Sequence, residues 1–126
     1  MQSNSDHQKT VLVVDDEDII LNLTREIVSF LGYRCITASS GKEALEAIRS
    51  ERPDLVLLDS YMPEMTGEHV LKTIRPEFPD LKVIVSSGKQ LDDDEKIRFQ
   101  DLKIKDFIYK PYEIAVMKDA IQRLVG

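Results

Sequence analysis

The chain has 126 residues, 42% apolar and 32% charged, a length and balance that fit one soluble globular domain with its own core. Its formal charge of −6 and pI near 4.9 give it no counterion-release advantage on DNA or RNA, and no Lys/Arg run offsets this, so no nucleic-acid partner is expected. A lone cysteine, Cys35, excludes an internal disulfide and a Cys/His zinc set, and no apolar run approaches the roughly 20 residues of a membrane span.

Residues 1–9, Met1 to Lys9, are polar and lack the apolar stretch of a secretory signal. They read as a flexible N-terminal tail before a single domain at 10–126, in a cytoplasmic protein without membrane insertion. Val11–Val14 is the first near-continuous apolar run. The acids Asp15, Asp16, Glu17 and Asp18 follow it, with Asp18 expected to cap the next helix. Ile20, Leu23, Ile27 and Leu31 then recur at helical spacing. Cys35–Ala38 is a second strand, and Ser40 with Glu43 form a capping box before the helical stripe Ala44, Leu45, Ala47 and Ile48.

Leu55–Leu58 is a third strand, ending at Asp59 and the turn signal Met62-Pro63. Val70, Leu71 and Ile74 mark a third helix, with His69 as an exposed helical histidine. Leu81–Val85 is a fourth strand, leading into Ser86, Ser87 and Gly88. Asp92–Leu102 is the weakest helix, with only Ile97, Phe99 and Leu102 apolar, although its acidic start suits a helix N-terminus. Phe107–Tyr109 is the fifth strand, followed by Lys110-Pro111. Ile114, Met117, Ile121 and Leu124 complete a fifth helix.

Five β-α alternations imply a doubly wound α/β fold with a parallel sheet, since right-handed crossovers place helices on both faces. Such sheets bind ligands beyond the carboxyl ends of their strands. There the first strand delivers Asp15 and Asp16, the third Asp59, the fourth Ser86 and Ser87, and the fifth Lys110. Two carboxylates about 5 Å apart repel by roughly 3 kcal/mol at an effective dielectric near 20, so three together raise a pKa or recruit a cation. Magnesium suits oxygen ligands, few carboxylates and a shared phosphate. With its charge neutralised, an Asp59 carboxylate can attack phosphorus, while Lys110 offers a compact positive charge and Ser87 a hydroxyl donor.

The stretches VLVVDDE, LVLLDSYMPEMTG, VIVSSG and DFIYKPY resemble, in this order, those of the receiver domain of two-component response regulators, over about Thr10 to Val125. The resemblance implies a flavodoxin-like five-stranded sheet of order 2-1-3-4-5 with five helices. It implies a Mg2+ site in which Asp16 is a direct ligand and Asp15 acts mainly through water, with Asp59 and the Tyr61 carbonyl completing it. It makes Asp59 the phosphoacceptor, Ser87 the switch hydroxyl, Lys110 the holder of a phosphoryl oxygen, Phe107 the aromatic switch, and Lys110–Pro111 a cis bond.

The implied donor is a histidine kinase or a histidine phosphotransfer protein. The implied readout is a downstream protein meeting the fourth helix, fifth strand and fifth helix, with a homodimer through the same helices left open. Such a domain catalyses its own phosphorylation and dephosphorylation but serves mainly as a switch. The VIVSSG and MPEMTG wording is similar to receivers of hybrid sensor kinases.

Two departures stand out. Lys103-Ile104 occupies the place of the family's common Gly-Ala pair, and a bulky Tyr61 beside Asp59 points to slow self-dephosphorylation, with Lys89 at a second lifetime-tuning position. Three other readings compete: a haloacid-dehalogenase-type phosphohydrolase using Asp16 and Asp18, a flavodoxin-like electron carrier, and a phosphorylation-independent interaction module.

Overall fold

Near-continuous apolar strands require cover on both faces, and the chain supplies it by alternation. In this computed structural model, which describes residues 8–126, the strands are β1 (Thr10–Val14), β2 (Arg34–Ala38), β3 (Leu55–Asp59), β4 (Lys82–Ser87) and β5 (Asp106–Tyr109). The helices are α1 (Asp18–Phe30), α2 (Gly41–Glu51), α3 (Gly67–Ile74), α4 (Asp93–Asp101) and α5 (Ile114–Val125). All strand pairs are parallel, in the order β2-β1-β3-β4-β5. Of the expected tail, only Gln8 and Lys9 fall within the described residues, and both are exposed.

Successive residues of a strand point to opposite faces, so each central strand feeds two cores. Leu12, Val14, Val56, Leu58, Val83 and Val85 pack with Ala44 and Ile48 of α2, Val70, Leu71 and Ile74 of α3 and Phe99 of α4. Val11, Val13, Leu55, Leu57 and Ile84 pack with Leu21, Ile27 and Val28 of α1 and Met117, Ala120 and Ile121 of α5. This two-sided burial explains why the strands read as apolar runs and not as alternation.

Several local expectations need correcting. In α1 the buried face is Leu21, Thr24, Ile27 and Val28, while Leu23 is 51% exposed. The face turns away from Leu23 because Thr24 is buried at no polar cost, its hydroxyl donating to the Ile20 carbonyl at 2.7 Å. Asp18 does not cap α1; the N-cap residue is Glu17, which makes no side-chain cap bond. At α2 only half of the expected box forms: Ser40 Oγ accepts from Glu43 N at 3.1 Å, while the Glu43 carboxylate accepts from Ser39 N at 2.9 Å. The reciprocal box appears at α4 instead, between Asp92 and Glu95. Ile114 of α5 and Ile97 of α4 are about half exposed.

The Lys103-Ile104 departure has a clear structural outcome. Lys103 N–H donates to Gln100 O and Ile104 N–H to Phe99 O, the paired bonds of a Schellman cap. That cap needs a left-handed residue, and Lys103 supplies it at φ 68°. Ile104 is fully buried in the same cluster as Phe99, the apolar contact that accompanies such a cap. A side chain at positive φ costs about 1–2 kcal/mol where glycine costs little, offset by about 0.5–1 kcal/mol for glycine's greater unfolded-state entropy. Lys103→Gly is therefore expected to stabilise the protein by about 0.5–1 kcal/mol, read as a higher urea midpoint at unchanged slope.

Candidate functional site

The strand order places the carboxyl ends of β1 and β3 side by side, with β4 next to β3. Asp15 directly follows β1 and is 1% exposed; Asp59 ends β3 and is 3% exposed; Asp16 is exposed at the rim. One carboxylate oxygen from each of Asp15, Asp16 and Asp59 lies within 4.8 Å of the others. Lys110 enters from the far side. Its N–H donates to Ser87 O at 2.8 Å, continuing the β4–β5 ladder. Its Nζ lies 2.7 Å from Asp15 Oδ2, 3.2 Å from Asp59 Oδ2 and 3.9 Å from Glu17 Oε1. The Lys110–Pro111 bond is cis.

Backbone donors hold the other carboxylate oxygens. Glu17 N–H donates to Asp15 Oδ1 at 2.9 Å and Tyr61 N–H to Asp59 Oδ1 at 3.3 Å. Asp15 Oδ2 pairs with Lys110 electrostatically but without hydrogen-bond alignment. It is the one buried side-chain polar atom among the described residues left without a hydrogen bond. An oxygen-rich cluster of three carboxylates, two of them buried, with only one lysine between the buried pair fits a hard divalent cation such as Mg2+.

An open cavity of about 510 Å³ lies over the cluster, lined by Asp16, Glu17, Asp59, Ser60, Tyr61, Ser87, Gly88, Lys89 and Lys110. Ser87 thus faces the cavity, while Ser86 pairs opposite Asp59 within the β3–β4 ladder. The Ser87 hydroxyl donates to Lys89 O at 2.7 Å and accepts from Lys89 N at 3.1 Å. Tyr61 is 68% exposed at the cavity mouth. Phe107 lies away from the cavity, edge-on to Phe99 with ring centroids 6.1 Å apart. His69 is exposed on α3.

Sequence reasoning missed Gly67. A Cβ at this position would overlap the carbonyl oxygen of Asp59, so only glycine lets α3 begin against the Asp59 backbone. Thr66 caps the same helix, its hydroxyl accepting from His69 N at 3.2 Å. The Thr-Gly pair was legible as a helix start, but its closeness to Asp59 was not.

Burial pushes the Asp59 carboxyl up to about 6; Lys110 opposes the rise and Asp15 adds to it. For Lys110, burial alone would favour the neutral amine, but the contacts with Asp15 and Asp59 outweigh it and raise the pKa above the ordinary lysine value. The ammonium therefore stays charged at neutral pH. The site is an anionic nest with one built-in cation, able to take a further cation and, through it, an anion.

Doubly wound order, acidic cluster and strand-tip lysine together define a class of cation-assisted anion sites on an α/β sheet. Residues 11–122 match the response regulator receiver domain family, and the chain belongs to that family. It is 34% identical to chemotaxis protein CheY of Thermotoga maritima, over 92% of this chain and 97% of that protein. It is 35% identical to the alkaline phosphatase synthesis transcriptional regulatory protein PhoP of Bacillus subtilis, over 82% of this chain and 43% of that one. It spans about half the length of the first curated relatives it matches.

Among solved structures, a receiver domain protein from Methanospirillum hungatei superposes with TM-score 0.86 at 28% identity, covering 92% of each chain. The N-terminal domain of a response regulator receiver protein from Methanoculleus marisnigri gives 0.77 at 37% identity, covering 94% of this chain and 97% of that one. No helix among the described residues is long and apolar enough to cross a membrane.

The Asp59 shift predicts a pH effect. Its folded pKa, about 6, lies above the ordinary 3.8, so the protonated acid contributes stability below pH 3.8 that is lost as pH rises through 6. In the metal-free protein, wild type is expected to lose about 1–2 kcal/mol relative to Asp59→Asn between about pH 4 and pH 7.5; the full shift, about 3 kcal/mol, is reduced by relaxation and water entry around the ionised carboxylate. Paired urea titrations across that range measure the difference, which isolates Asp59 from the other acids.

Proposed function

We propose that the chain is a phosphoacceptor switch in which Asp59 receives a phosphoryl group from a phosphohistidine on a histidine kinase or histidine phosphotransfer protein. The observation that carries this reading is the Lys110 ammonium lying within 3.2 Å of both Asp15 and Asp59 at the cavity floor. Asp15, Asp16 and Asp59, with the Tyr61 carbonyl, would hold Mg2+. The bound ion supplies charge neutralisation between the anionic nucleophile and the anionic phosphoryl group.

An Asp59 oxygen attacks phosphorus in line; the new P–O bond forms as the P–N bond to imidazole breaks, and the electron pair leaves on that nitrogen. The domain positions and neutralises, and contributes little covalent chemistry beyond the nucleophile. Lys110, already charged, shifts its contact from the Asp59 carboxylate to a phosphoryl oxygen. Ser87 has a single hydroxyl proton, so donating it to the phosphoryl group requires leaving the Lys89 carbonyl.

That exchange connects the site to the loop before α4 and to Phe107, which packs on Phe99 of α4. The surface of α4, β5 and α5 carries Ile97, Ile114 and Val116, each about half exposed, and is the proposed contact for a downstream protein or a second copy. Phosphorylation biases two states of similar energy. The cytoplasm is the proposed location.

The phosphohydrolase reading is weakened because Asp18 is the first residue of α1 and stands outside the carboxylate cluster. The electron-carrier reading lacks a phosphate-cradling hydroxyl loop after β1, where Asp15 and Asp16 stand instead.

Acetyl phosphate with Mg2+ is expected to add one phosphoryl group to wild type and none to Asp59→Asn, read by intact mass. Beryllofluoride is expected to raise the melting temperature only when Mg2+ is present, and not in Asp59→Asn. Because Tyr61 stands at the cavity mouth, the label should persist well beyond seconds, and faster loss would remove that role. Labelling at Asp16, or turnover of varied phosphate esters, would favour the hydrolase. Wild-type signalling by Asp59→Asn would favour the phosphorylation-independent module.

A further inference from the structure

At the other end of the sheet the strands begin, about 17 Å from the carboxylate cluster along β4. There the loop before β4, the C-terminal turn of α4, the first residues of β4 and β5 and the last turn of α5 border an open cavity of about 560 Å³. Its cations are Arg75, Lys82, Lys103 and Lys105, and its carboxylates are Asp80 and Asp106. Asp106 is already paired with Arg123 at 2.6 Å. Among the described residues, none of the four cations forms an ion pair with a carboxylate.

They are held instead by main-chain carbonyls. Lys82 Nζ donates to Leu124 O at 2.7 Å and Lys103 Nζ to Pro79 O at 3.4 Å. Arg75 is fixed most firmly: Nε donates to Leu102 O at 2.8 Å, and Nη1 to Phe78 O at 3.2 Å and Leu81 O at 2.6 Å. Three of its five N–H groups are thereby used, and Nη2 has no acceptor among the described residues. Neutral acceptors orient these groups without cancelling their charge. In a chain of net charge −6, four cations beside only Asp80, whose charge acts on Arg75, and the already paired Asp106 run against the overall balance.

We propose that this basic groove is a docking site for an acidic peptide segment of a partner protein, seated by an apolar side chain. Charge complementarity sets the sign of the occupant. The apolar walls at Pro79, Leu81, Val83 and Leu124 favour a peptide over a bare anion, because a compact anion would leave them unused. The spread of the cations points the same way. They come from the end of α3, the start of β4, the turn after α4 and the loop before β5, so carboxylates spaced along a chain meet them better than one dense centre. The site is separate from Asp59 and does not depend on the phosphoacceptor reading.

The test is amide NMR on the full chain without Mg2+, titrated with the peptide Glu-Glu-Leu-Glu-Glu. Shifts are expected at Leu81, Lys82, Val83 and Lys105, not at Asp59 or Ser87, and unchanged in Asp59→Asn. Affinity should fall about tenfold between about 0.05 M and 0.3 M salt, as screening requires. It should also fall at least tenfold in Lys103→Glu/Lys105→Glu, two exposed positions whose replacement is expected to leave the melting temperature unchanged.

Equal binding of Gln-Gln-Leu-Gln-Gln would overturn the proposal without relying on any variant. So would the absence of shifts in the groove. Tighter binding there by pyrophosphate, or by phosphatidylserine vesicles, would also overturn it, making the groove a small-anion or membrane site.

Discussion

The ammonium of Lys110 between the buried carboxylates of Asp15 and Asp59 is the interaction on which the rest of the site depends. Two buried acids at neighbouring strand tips are unfavourable alone, by desolvation and by mutual repulsion. One cation from β5 offsets both terms while leaving Asp16 and one face of the cluster open to the cavity. Compensation is incomplete, since one lysine serves two buried carboxylates and Asp59 still has a raised pKa. That residual cost makes the site receptive to a further cation.

The rest of the fold keeps those three tips in register. Each central strand is packed on both faces, so neither β1 nor β3 can slide without disturbing two cores. Gly67 lets α3 start against the Asp59 carbonyl, and Tyr61 N–H holds one Asp59 oxygen from the same loop. The Asp59 carboxylate is therefore fixed from its own loop, while its charge is offset by Lys110 from a different strand end.

By contrast, the region next to Ser87 is lightly anchored. α4 buries only Phe99, and its ends depend on caps: the Asp92–Glu95 box at one and the Lys103 Schellman turn at the other. Low buried area and capped ends describe an element with a low cost of movement. Its Glu95 pairs with the cavity-lining Lys89 at 3.5 Å, and its Phe99 packs edge-on against Phe107. The molecule also has electrostatic polarity: carboxylates gather where the strands end, and cations outnumber carboxylates in the groove where β4 and β5 begin.

Sequence alone determined the alternation of strands and helices, because residues buried on two faces must be apolar without interruption, and the turn residues that bound runs such as Val11–Val14 and Leu55–Leu58 favour strand over buried helix. It also determined which chemistry-bearing residues end each strand, since Asp15, Asp59, the pair Ser86 and Ser87, and Lys110 stand where the apolar runs stop, while the family resemblance singled out Ser87. Local pattern was less reliable at the partly buried helices. Leu23 was placed in the core and Thr24 was not, because a hydroxyl satisfied within its own helix can be buried like a methyl group. Only the tertiary structure decided that Lys110 reaches both Asp15 and Asp59, that Gly67 is demanded by a carbonyl eight residues earlier, and that Arg75 has donors to spare. These are contacts between groups distant in sequence or set by loop geometry, and no periodicity along the chain records a distance across it.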